Sequence, residues 1–172
     1  MDKKFWTSEK LLSLTAVLIS VCTFLVFLYQ TNLIKKQQYM SVFPYVSIHH
    51  EGINTEDYKF LIENNGIGPA ILEKITVKDK KGKIYDDVID YLNASLTKAD
   101  TIGFFYGNLS PGILVPEKEH IEVIELTDKK EESSRRLFEL LSPKKIEITL
   151  VYTSIYGERW TCSNRNKTPR KQ

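Results

Sequence analysis

Residues 11–29 read LLSLTAVLISVCTFLVFLY, and no charged residue falls between Leu11 and Ile34. An α-helix rises about 1.5 Å per residue, so residues 11–29 reach roughly 28 Å, close to the hydrocarbon core of a bilayer at about 30 Å. Hydrocarbon offers no partner to a backbone N–H or C=O, so one such run crosses it only as a helix. Thr7 or Ser8 suits the N-cap, and Glu9 puts a negative charge in the first turn. Trp6 and Tyr29 stand at the two ends, where aromatic rings favour the membrane interfaces. Residues 30–42 are expected as a stalk, helical through Gln37 and Gln38.

Three competitors fail on composition. A cleaved signal peptide wants a shorter apolar region and a small-residue cleavage site, and the Gln-Thr-Asn-Leu-Ile that follows Tyr29 has neither alanine nor glycine. A lipid-attachment box at Ile19-Ser20-Val21-Cys22 has Val21 where a small residue belongs, and the apolar run continues past Cys22. A soluble core helix would carry a polar face. The expectation is therefore an uncleaved span with the bilayer as its first partner. Lys3, Lys4 and Lys10 lie on one side and Lys35 and Lys36 on the other. By one lysine, this favours a cytoplasmic N-terminus and a domain outside. Ser13, Ala16, Ser20 and Thr23 share one stripe of the helix, a pattern that lets two helices approach and suggests a homo-oligomer.

The remaining chain is long enough for one domain. The formal charge of +2 hides basic ends around an acidic middle, so no nucleic-acid partner is expected. Cys22 lies in the span and Cys162 stands alone in the domain, so the domain is expected to stand without a disulfide. The polar tail, residues 164–172, is expected to be disordered.

Alternation of apolar and polar residues predicts strands at Pro44–His50, Tyr58–Ile62, Ile71–Val77, Ile102–Tyr106, Ile121–Leu126, Ile146–Thr153 and Arg159–Cys162, with short pieces at Ile84-Tyr85 and Ile113–Val115. Spacings of three and four predict helices over Asp86–Leu96 and Lys129–Leu141, the second stopped before Pro143 and laced by Glu131–Arg135 and Glu132–Arg136 pairs. Many short strands with polar turns indicate a mainly β fold over residues 43–163: an antiparallel Ig-like β-sandwich, with the two short helices as insertions covering an edge or an end.

Two motifs carry a resemblance. Asn64-Asn-Gly-Ile-Gly-Pro-Ala70 follows the first pair of strands, and Tyr156-Gly-Glu-Arg-Trp160 sits in the terminal hairpin. Together they resemble uncharacterised bacterial single-pass membrane proteins with an N-x-G-x-GPA loop and a YG-x-x-W hairpin. The resemblance implies one N-terminal helix and a sandwich of this size, and no activity.

No residue cluster specifies a reaction. Gly66-Ile67-Gly68-Pro69 precedes a strand rather than a helix, so it is expected as a tight turn needing positive φ at glycine, not a phosphate loop. His49 and His50 should point to opposite strand faces and are expected as exposed residues, without a metal. Cys162 has no histidine near it in sequence and there is no G-x-S-x-G. Tyr152 is expected in the core, while Tyr156 and Trp160 divide between core and an interaction surface. These readings point to a membrane-anchored interaction or accessory module with a protein partner, no cofactor and no catalysis. The alternatives are an oligomerising membrane effector and an enzyme with a cryptic site.

Overall fold

The computed structural model describes residues 8–97 and 100–172 and separates into two units, the helix ending at Met40 and a β-rich unit over Ser41–Gln172. Lys3, Lys4, Trp6 and Thr7 lie outside the described residues. Helix α1 spans Ser8–Met40, 33 residues with none buried. It is long and apolar enough to cross a membrane. Hydroxyls within the apolar run bond back to carbonyls of the preceding turn: Ser13 to Glu9, Ser20 to Ala16 and Thr23 to Ile19, at 2.8–2.9 Å. That removes the penalty of an open donor in an apolar setting. The stalk begins inside the helix. Gln, Lys and Leu from Gln30 to Gln38 are good helix formers, so the helix continues until residues near Pro44, where α backbone becomes unfavourable.

The β-rich unit is a sandwich. One sheet has the order β1 (Val46–Glu51), β2 (Lys59–Asn64), β7 (His120–Leu126), β5 (Phe104–Tyr106). The other has the order β10 (Arg170–Lys171), β9 (Arg159–Ser163), β8 (Ile146–Thr153), β3 (Ala70–Asp79), β4 (Ile84–Tyr85), with β6 (Leu114–Val115) on β3. All pairings are antiparallel. Taken in chain order, β1-β2-β7-β5 and β9-β8-β3 reproduce the ABED and GFC sheets of an immunoglobulin sandwich. Here no disulfide joins the sheets; Cys22 and Cys162 are free.

Alternation places the core. On β8, Ile146, Ile148, Leu150 and Tyr152 are wholly buried, while Glu147, Thr149, Val151 and Thr153 take the outer face. They meet Phe60, Ile62 and Ile124 from the facing sheet in one apolar cluster. Burial of such side chains contributes about 1.5–3 kcal/mol each. The tail expected to be disordered belongs to this unit. Asn164 fits into the β8 edge through both its amide atoms, to Ile148 N–H at 3.0 Å and Ile146 C=O at 3.2 Å, and Arg170–Lys171 then pair with β9. Side-chain hydrogen bonds supply what the missing apolar residues do not.

Helices α2 (Val88–Ser95) and α3 (Glu131–Leu141) cover one end of the sandwich. The Tyr91 hydroxyl donates to the Leu140 carbonyl at 3.3 Å, tying the two together, and Tyr91 stacks edge-on against Tyr85 of β4. From α3, Leu137, Leu140 and Leu141 enter the core. Arg136 reaches Asp100 and Glu139, at 3.2 and 3.5 Å, instead of the expected Glu132.

His50 lies under α3. His49 does turn outward, toward Glu51 and Glu63, as strand alternation requires. His50, expected to be exposed, packs instead between Tyr58, Phe60 and Phe138, because Val46, Ile48 and His50 share the inner face. Its Nδ1 is 2.8 Å from the buried Tyr58 hydroxyl. Burial, with a smaller push from His49, lowers the His50 pKa to about 4. The unfolded chain therefore takes up this proton first, near pH 6.5. Stability is full above that pH and falls as pH drops from about 6.5 to about 4. Urea unfolding in mild detergent should show a loss of up to about 3 kcal/mol across that window. His50→Gln should flatten it; an unchanged pH profile in that variant would remove the assignment.

Candidate functional site: the end where the chain arrives

Ser41 alone separates the end of α1 from Val42, and residues 42–45 are then held along the top of the sandwich. The backbone of this incoming segment is satisfied group by group. The Phe43 carbonyl accepts from Ile67 N–H at 3.0 Å, and the Tyr45 carbonyl from Asn65 N–H at 2.8 Å. The Tyr152 hydroxyl donates to the Pro44 carbonyl at 3.5 Å and accepts from Val46 N–H at 3.3 Å. A phenol from one sheet thereby pins the first strand of the other.

The organiser is Asn64, a buried amide that strand alternation does not single out. Its Oδ1 accepts from Tyr45 N–H at 3.1 Å and Gly66 N–H at 3.0 Å. Its Nδ2 donates to the carbonyls of Gly68 at 2.8 Å and of Val115 and Pro116, both at 3.1 Å. The Asn64 backbone adds N–H to Glu119 C=O and C=O to Lys118 N–H. One side chain thus joins the incoming segment, the glycine loop and the β6–β7 connection. A buried amide so satisfied fixes geometry as well as energy.

Gly66 and Gly68 are glycines for a different reason from the one the sequence suggests. Neither has positive φ. A Cβ on Gly66 would sit 2.4 Å from the Phe43 carbonyl oxygen and the Tyr45 nitrogen, and one on Gly68 2.2 Å from the Val42 carbonyl oxygen. The incoming backbone passes directly over both, which demands hydrogen in place of a side chain. The motif is a cradle for the chain's own linker.

Trp160 is part of this end. Its ring meets Phe43 edge-on at 4.8 Å and packs on the core, with its Nε1 buried and unpaired. Tyr152 is core, as expected. Tyr156 is at the tip of the β8–β9 hairpin and exposed. The pair therefore splits, Trp160 holding the linker and Tyr156 facing outward.

Chemistry is sparse elsewhere. Burial pushes the Cys162 thiol up to about 12, which leaves it a poor nucleophile. Among the described residues no three His, Cys, Asp or Glu side chains gather as metal ligands. A groove of about 410 Å³ beside α3 is lined by Asp100, Ile102, Lys130, Glu132, Arg136 and Glu139, and its Arg136 is committed to the two neighbouring carboxylates.

Comparison with protein families, curated proteins and solved structures finds no match.

Asn64→Ala strands two buried N–H donors and three carbonyls and should cost at least about 2 kcal/mol in urea unfolding. Asn65→Ala, whose exposed side chain reaches only Ser47 and Glu63, should cost less than about 1 kcal/mol. Gly68→Ala should cost about 1–3 kcal/mol by overpacking. Equal effects at 64 and 65 would contradict the clamp.

Proposed function

We propose that this chain is a single-pass membrane protein that displays its sandwich at the membrane surface as a protein-interaction module. The observation carrying this reading is α1: 33 residues, free of charge from Leu11 to Ile34, and none of them buried. Apolar surface on that scale has to be covered, and lipid is what fits a helix of this length. The clamp adds support. In sequence, Ser41 alone lies between the end of α1 and the segment fixed to the sandwich, a short connection for an anchored domain. The lysine count, three against two, favours a cytoplasmic N-terminus and a sandwich outside.

The full chain should float with liposomes and resist alkaline carbonate, and protease should reach the sandwich from outside intact cells. Crosslinking and pull-down from membranes should recover one partner repeatedly. Release by carbonate removes the anchor; recovery of the bait alone removes the interaction role.

Self-association is a second reading, supported by the stripe Ser13, Ala16, Ser20 and Thr23. Back-bonding of Ser13, Ser20 and Thr23 keeps the hydroxyls close to the helix and the stripe shallow. Ala16→Leu with Ser20→Leu should abolish oligomers in a membrane association assay, and unchanged assembly would sink it.

A further inference from the structure

Four large apolar side chains stand exposed at the same end of the sandwich: Ile67 (54%), Leu114 (51%), Ile155 (51%) and Tyr156 (47%). Strand register brings their segments together. Ile71 pairs with Leu114 on one side and Thr153 on the other. Ile67 lies four residues before Ile71, and Ile155 and Tyr156 lie just beyond Thr153, so these three lie past the row that holds Leu114. The incoming segment crosses this end too, through the bond from Ile67 N–H to the Phe43 carbonyl.

We propose that this end of the sandwich rests in the bilayer interface, with Ile67, Leu114, Ile155 and Tyr156 inserted among phospholipid headgroups. The proposal builds on the reading of α1 as a span. The charge-free run ends at Ile34, and residues 35–40 rise about 9 Å, comparable to the headgroup layer of one leaflet. Two further peptide units, roughly 8 Å at full stretch, reach Val42 in the cradle. The apolar tip is thus tethered within reach of the interface that α1 leaves. Tyrosine and aliphatic side chains partition there.

Both signs of charge are mixed around the tip. Arg159 pairs with Glu73 and Lys171 with Glu158, while Lys118 is flanked in sequence by Glu117 and Glu119. Insertion therefore depends on apolar contact and requires no anionic lipid.

The test uses the full chain with Cys22→Ser in phosphatidylcholine nanodiscs. An environment-sensitive fluorophore is placed on cysteine by Ile67→Cys, Ile155→Cys or, at the opposite end of β3, Ile84→Cys; Cys162 is buried. Emission at 67 and 155 should shift to the blue and be quenched several-fold more by spin-labelled lipid than at 84. Added anionic lipid or salt should change little. Ile155→Glu with Tyr156→Glu should restore solvent-like emission at 67. Solvent-like emission at all three positions, in a protein that still floats with liposomes, overturns the insertion and leaves the anchor standing. Failure to float overturns both. Quenching that requires anionic lipid also overturns it, in favour of electrostatic surface binding.

Discussion

Asn64 concentrates the conflict that this fold has to resolve. A chain arriving at the top of a sandwich brings backbone groups that belong to neither sheet, and burying them unpaired would cost more than the contacts return. Asn64 supplies acceptor and donor atoms at one buried point, taking Tyr45 and Gly66 on its oxygen and Gly68, Val115 and Pro116 on its nitrogen. Tyr152 closes the remaining gap at Pro44 and Val46. Gly66 and Gly68 let the incoming backbone lie close enough for these bonds to form.

The opposite end is closed differently. There α2 and α3 cover the core with leucines and aromatic rings, and the His50–Tyr58 pair beneath α3 is kept neutral by burial. Polar satisfaction governs the end that receives the linker; apolar plugging governs the other. This asymmetry suits a domain used at a surface, since the end fixed to the linker carries the exposed Ile67, Leu114, Ile155 and Tyr156.

Most of the architecture was legible because it rests on periodicity. The alternation from Ile146 to Thr153 marked β8 to the residue, and the leucine spacing from Leu137 to Leu141 marked α3. What escaped depends on contacts distant in sequence. Nothing local to Asn64 distinguishes it from Asn65, yet one is buried and the other exposed; only the carbonyls of Val115 and Pro116 reveal the difference. The glycines looked like turn glycines because the backbone that crowds them is more than twenty residues away. The tail read as disordered because its order comes from the Asn164 amide and not from apolar residues. His50 was misplaced for the opposite reason: alternation put it inward, and its polarity hid that.

Residues 42–45 are part of the folded sandwich and not a loose linker. Hydrogen exchange on the full-length chain in nanodiscs tests it at the backbone. The N–H groups of Tyr45, Asn65, Gly66 and Ile67 should exchange as slowly as those of Ile148 and Leu150 in β8. Rapid exchange at these four positions beside a protected β8 would contradict the claim.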